Sequence, residues 1–188
     1  MTIRKATIDD AHFIALVVVE ALGDDIMLRN GDGICEHDKR ILALLADSIT
    51  QDGTLYCWRN CIIAEDESGQ PLAALVAYPG EGYKEMRERT FSLLSELITF
   101  DVESMDAETK AGEYYLDSIA VLPRARGCGI ARSLLLHGIG VARKIGLPAV
   151  LACEPENFRA KTLYESIGFR QEGEMFIFGH HYLRMVAQ

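Results

Sequence analysis

This chain of 188 residues lacks a long apolar run, an excess of positive charge, an internal repeat and a paired set of cysteines. No stretch approaches the ~20 consecutive apolar residues that cross a bilayer, so no membrane-spanning helix is expected. Lys and Arg number 19 against 28 Asp and Glu, for a formal net charge of −9. Generic nucleic-acid binding wants a basic face, so it is not expected here. The acidity leans mildly toward cationic ligands, although acidic surfaces more often serve solubility. The five cysteines, Cys35, Cys57, Cys61, Cys128 and Cys153, are odd in number and scattered. Reduced thiols of a cytoplasmic protein are the simplest reading. Cys57 and Cys61 have no second pair at zinc-finger spacing, so zinc is not expected. The opening Met1 to Lys5 does not read as a signal peptide, because Ile14 to Val19 is short and lies among acids. Neither Gly-Lys-Ser/Thr of a Walker loop nor a full Gly-x-Gly-x-x-Gly is present.

What is there fits one compact domain with a substantial core over residues 1–188. Ile3 to Thr7 reads as a strand. Asp9 or Asp10 can cap a helix to about Leu22. Gly23 to Gly33 reads as a loop, and Asp38 to Ile49 as a helix with Ile41, Leu42, Leu45 and Ile49 on its apolar side. Leu55 to Glu65 and Leu72 to Tyr78 read as an antiparallel pair. Residues 79–112 match no motif. Their centre, Tyr83 to Val102, reads as a helix. The segment is either a packed or solvent-facing insertion or a wall of a ligand site. Phe169 to Met185 reads as two strands around Gly179. His180 and His181 are neighbours on a strand, point to opposite faces, and so are not expected to share a metal.

Glu113 to Leu122 reads as a strand stopped by Pro123, and about Gly129 to Ile145 as a helix with Leu134, Leu135, Ile139, Val141 and Ala142 near one face. Between them stands Arg126-Gly127-Cys128-Gly129. Glycines permit a sharp turn that exposes successive N–H groups at a helix start, and those donors with the helix dipole form an anion site. Arg124, Arg126 and Arg132 add permanent positive charge. A phosphate or pyrophosphate is the expected guest. After a Gly146-Leu147-Pro148 turn, Ala149 to Cys153 reads as a short buried strand. In Asn157 to Phe169, Asn157 is a plausible helix N-cap and Gly168 a helix stop. Helical spacing puts Asn157, Ala160 or Lys161, and Tyr164 on one face.

Two motifs now carry a resemblance. Arg124-x-x-Gly127-x-Gly129 follows Val121-Leu122-Pro123, and Asn157 to Phe169 matches Asn-x-x-Ala-x-x-Leu-Tyr-x-x-x-Gly-Phe without a gap. From about Tyr114 to the C-terminus the chain resembles the GNAT superfamily of acetyl-CoA-dependent N-acetyltransferases. The resemblance implies a mixed α/β fold. Its central sheet would be mostly antiparallel, with one splayed parallel strand pair and helices on both faces. Residues 79–112 would then be a family-variable insertion.

The resemblance further implies acetyl transfer from acetyl-CoA to a primary amine of a small molecule or peptide. No metal is needed, a homodimer is allowed for, and a non-catalytic acyl-CoA-binding module on the same fold is the alternative. Acetyl-CoA would lie between Glu113–Leu122 and Ala149–Cys153. Backbone groups of Ile119, Ala120 and Val121 would pair with the pantetheine arm, unless these residues serve only the core. Arg124 and Arg126, with the amides of Gly127, Cys128, Gly129, Ile130, Ala131 and Arg132, would hold the pyrophosphate. Asn157 would bond the pantetheine arm. Tyr164 would protonate the leaving thiolate, or else pack as a core aromatic. By alternation Tyr115, Asp117, Ile119 and Val121 share one strand face. Asp117 is then a candidate base, or a carboxylate binding a donor or the substrate cation, with Glu154 and Glu113 as weaker candidates. Ala152 stands where members acting on protein N-termini often carry Glu, which favours a small amine.

Overall fold

The computed structural model describes residues 1–22, 36–98, 101 and 104–188. The expected Gly23–Gly33 loop and Cys35 lie outside them. Twelve described elements follow one another. They are β1 (Thr2–Lys5), α1 (Ala11–Leu22), α2 (Glu36–Ile49), β2 (Cys61–Glu65), β3 (Pro71–Pro79), α3 (Tyr83–Leu94), β4 (Tyr114–Val121), α4 (Ile130–Lys144), β5 (Ala149–Cys153), α5 (Phe158–Ser166), β6 (Arg170–Ile177) and β7 (His180–Ala187). The strands form one sheet in the order β1-β2-β3-β4-β5-β7-β6. Neighbours are antiparallel except β4 and β5.

Alternation along β3 explains why both faces are covered. On β3, Ala74, Val76 and Tyr78 face a core that includes Ile14, Val18, Leu45 and Ile49 of α1 and α2. Ala73, Leu75 and Ala77 face a second core, with Leu134, Leu135 and Ile139 of α4. Sheet faces apolar on both sides need helices on both sides. α4 lies close because Gly138 has no side chain, and a Cβ there would stand 2.9 Å from a Leu116 methyl and 3.0 Å from a Leu75 methyl.

Three local expectations are corrected. α1 is entered through a 3₁₀ turn at Ile8–Asp10 whose cap is Thr7; Asp10 accepts the Thr7 N–H at 2.7 Å and does not itself cap the helix. The first half of the expected Leu55–Glu65 strand is a turn segment. Leu55 N–H donates to Thr90 Oγ1 at 2.8 Å and Asn60 Nδ2 donates to Leu55 O at 3.0 Å, so α3 and a side chain take the bonds a sheet neighbour would have made. The expected Tyr83–Val102 helix ends at Leu94, where the N–H groups of Leu97 and Ile98 both turn back to Leu94 O.

The segment before β4 is tied to the sheet by an ion pair whose carboxylate is buried. Arg184 of β7 donates to Glu113 at 2.5 Å, and Thr109 Oγ1 donates to the same carboxylate at 3.1 Å. Glu113 is therefore a structural anchor, which removes it as a candidate base. The four described cysteines are unpaired. Among the described residues no helix is long and apolar enough to cross a membrane.

Candidate functional site

β4 and β5 are in ladder register only at Tyr114↔Ala149 and Tyr115↔Val150. Beyond Tyr115, β4 has no strand partner on the β5 side. The strands splay there, leaving a strip of unpaired β4 backbone that an extended ligand can bond as an added strand. At the same point β4 carries a bulge. Leu75 pairs with Ile119 and Ala77 with Leu116, so Asp117 and Ser118 together oppose Val76. An extra residue reverses the alternation after it. Tyr115 faces the α1/α2 core, whereas Ile119 and Val121 pack into the α4 core and Ala120 into the other. The expectation that Tyr115, Asp117, Ile119 and Val121 share one face is thus overturned. Asp117 sits on the bulge itself, accepting hydrogen bonds from the Tyr78 hydroxyl and, at 2.7 Å, from Ser118 Oγ.

An open cleft of about 560 Å³ runs from the splay to the start of α4. Ile119, Ala120 and Val121 form one wall and Asn157, Ala160 and Tyr164 of the α5 region the other. Gly127, Gly129, Ile130, Ala131 and the arginines Arg126 and Arg132 close the far end. Gly129 is the α4 N-cap with φ +77°, a conformation that strains any residue with a Cβ, and the space a Cβ would fill is open. The free N–H groups of the first α4 turn and the adjacent guanidinium groups suit a pyrophosphate. Arg124 and Cys128 are exposed and do not line the cleft. Arg159, not singled out from sequence, does.

Two arginines are held by protein groups. Arg126 Nε donates to Val121 O at 3.0 Å and its Nη2 to Glu20 at 2.8 Å, so it links the loop to β4 and α1. Arg132 Nη1 donates to Ser166 Oγ at 2.9 Å. Asn157 caps α5 by accepting the Ala160 N–H at 3.1 Å, which leaves its amide nitrogen for a ligand.

A second cavity of about 250 Å³ adjoins the cleft, and Ile119, Asn157, Ala160 and Tyr164 line both. Tyr164 is therefore the meeting point. Its ring stands edge-on to Phe169 at 5.9 Å, and no hydrogen bond engages its hydroxyl among the described residues. Burial, helped by nearby Cys153 and Glu154, pushes the phenol above its ordinary value, so it keeps its proton and can donate it. Burial and Glu154 likewise push the Cys153 thiol up to about 11.

The second cavity is lined by Glu20, Glu108, Asp117 and Glu154, with no Lys or Arg among its described lining residues. Ala152 lines it too. Burial raises Asp117 above its ordinary value, against the pull of the Tyr78 and Ser118 hydrogen bonds. Glu108 is raised to about 7, first by burial and then by the charge of Asp117. Sequence reading missed Glu108 because it lies in the motif-free 79–112 segment. A burial-shifted carboxylate leaves no trace in composition or spacing. Among the described residues no three His, Cys, Asp or Glu side chains gather as a metal site.

The comparisons agree with this geometry. A solved acetyltransferase is 28% identical over 100% of this chain and 99% of its own, with a TM-score of 0.79. An N-acetyltransferase from Staphylococcus aureus Mu50 has the same fold over 100% of both chains, at 22% identity and a TM-score of 0.77. The NatC complex bound to Gag peptide and CoA shares the fold over 99% of this chain and 96% of its own, at 18% identity and a TM-score of 0.54. No curated protein gives a significant sequence match. The sequence model of the Acetyltransferase (GNAT) family matches residues 45–169, which span the splayed strands, the glycine loop and the whole Asn157–Phe169 motif. The chain belongs to the GNAT acetyltransferase family.

Proposed function

We propose that this protein transfers an acetyl group from acetyl-CoA to a primary amine of a small molecule or peptide by direct attack. The observation that carries the reading is the junction at Tyr164, where a cleft ending in a glycine–arginine anion cradle meets a cavity walled by carboxylates. The cleft suits the long, phosphate-bearing donor, and the acidic cavity suits a cationic acceptor.

In this reading the first-turn amides of α4, with Gly127, Gly129, Arg126 and Arg132, hold the pyrophosphate. The β4 backbone groups of Ile119 to Val121 on the edge that β5 leaves open, and the Asn157 amide, hold the pantetheine arm. The thioester supplies an electrophilic carbonyl and a sulfur leaving group. Tyr164 gives its proton to the departing sulfur. The acceptor enters as an ammonium and must lose a proton before its nitrogen is nucleophilic, which a carboxylate of the acidic wall provides. Asp117 and Glu108 both line that wall.

The test is calorimetric titration of acetyl-CoA into wild type and Gly129→Glu, followed by acetyl transfer to an amine panel. Wild type binds and transfers. Gly129→Glu, with bulk and negative charge in the cradle, folds and does not bind. Normal binding by the variant would put the pyrophosphate elsewhere.

A further inference from the structure

We propose that Glu108 is the catalytic residue that binds the acceptor ammonium and takes its proton, and that Asp117, its neighbour in the acidic wall, is a positioning residue. This rests on the acetyl-transfer reading above and names the chemistry of its acceptor side: a small cationic amine met by a paired carboxylate.

Both carboxylates line the cavity that Tyr164 also lines, and they differ in how they are held: Asp117 by Tyr78 of β3 and its own neighbour Ser118, Glu108 by hydroxyls from two elements, α3 and β4. Glu108 Oε1 accepts from the Tyr83 hydroxyl at 2.9 Å and its Oε2 from the Tyr115 hydroxyl at 2.8 Å. Each oxygen keeps a second lone pair for a substrate N–H. Two neighbouring tyrosines on paired strands serve one carboxylate each, Tyr78 donating to Asp117 and Tyr115 to Glu108.

The groups facing Glu108 are Tyr83 and Arg87 of α3, Tyr115 and Asp117 of β4, Tyr78 of β3, and Tyr56 before β2. Arg87 lies over the Tyr83 ring at 5.8 Å and donates to Asp106 O at 3.0 Å. Burial and, after it, the charge of Asp117 oppose ionisation of Glu108, whereas Tyr115, Tyr83 and Arg87 favour it. The balance leaves Glu108 titrating at about 7, where a base is most useful at neutral pH. Burial raises Asp117 as well, and the Tyr78 and Ser118 donors, which favour its charged form, offset part of that rise.

The proton count closes. The acceptor enters as R–NH3+, and Glu108 takes one proton to leave R–NH2. The nitrogen forms a bond to the thioester carbonyl carbon, the carbon–sulfur bond breaks, and sulfur takes the Tyr164 proton. The second nitrogen proton returns to the Tyr164 oxygen through water. The products are the acetamide, the free thiol of CoA and one proton that Glu108 releases to solvent.

The experiment is kcat/KM against pH with acetyl-CoA and the best acceptor among n-butylamine, putrescine and trialanine. Wild type should rise through an acid limb at about 7. Glu108→Gln should lose that limb and about a hundred- to ten-thousandfold in rate. Asp117→Asn should keep the limb but move it to lower pH, because a charge that opposes ionisation is gone. Tyr115→Phe should move it to higher pH, because a hydrogen bond to the anion is gone. Should Glu108→Gln fail to fold, the Tyr115→Phe shift decides alone: an unmoved limb overturns the proposal. A limb that persists in Glu108→Gln overturns it, as does one that vanishes in Asp117→Asn and only shifts in Glu108→Gln. Those results leave acetyl transfer standing. A wild type that acetylates none of the three amines overturns both readings.

Discussion

Glu108→Gln should reverse part of the pH dependence of folding stability. In the unfolded chain a glutamate titrates at about 4.5, and in the fold Glu108 titrates at about 7. The folded pKa is raised, so between these values the folded state holds a proton that the unfolded state has lost. The group's contribution is full below about 4.5 and disappears as pH rises through about 7. A shift of this size at about 1.4 kcal/mol per pKa unit amounts to about 3 kcal/mol. The glutamine keeps the size of the side chain and an acceptor for the tyrosine hydroxyls, and it does not ionise. It also relieves Asp117 of a neighbouring charge, which acts in the same direction. Urea unfolding of both proteins at several pH values from about 4 to about 8 gives the difference directly. The variant should gain on wild type by about 3 kcal/mol across that range, most steeply midway between about 4.5 and about 7. A difference that is constant with pH would mean that Glu108 titrates as an ordinary carboxylate, and the acidic-wall argument would fall with it.

Three further outcomes follow from the structure. Tyr164→Phe removes only the hydroxyl, so its affinity for CoA by calorimetry should match wild type while kcat falls about a hundred- to ten-thousandfold, provided chemistry limits the rate. Gly138→Ala forces a Cβ against Leu116 and Leu75 and should lower stability by about 1–3 kcal/mol in a urea melt. Arg184→Met removes the nearer cationic partner of the buried Glu113 carboxylate and leaves it Lys110 at 3.7 Å, and should cost about 1–3 kcal/mol in the same measurement.

The β4–loop–α4 unit and the Asn157–Phe169 segment were legible in the sequence because they depend on local rules. A glycine must stand where φ is +77°, and an asparagine caps where the chain enters α5. The strand β5 was legible as a five-residue apolar run. The β4 bulge was not, since nothing in Tyr-Leu-Asp-Ser-Ile-Ala-Val marks where one extra residue is inserted. The pattern predicted unbroken alternation, and pairing with β3 decided otherwise. Glu108 was hidden for a different reason. Its character comes from Tyr83, Tyr115 and Asp117, brought together by α3 and β4, and its own neighbours in sequence carry no signal.

The most direct test of acetyl transfer is mass spectrometry of an amine panel incubated with acetyl-CoA bearing an isotopically labelled acetyl group. Wild type and Tyr164→Phe would be compared at matched occupancy of the donor site. The account predicts labelled acetyl on the amine nitrogen, formed about a hundredfold or more faster by wild type. Binding of acetyl-CoA by wild type with no labelled amine from any member of the panel would contradict it, and would make the chain an acyl-CoA-binding module.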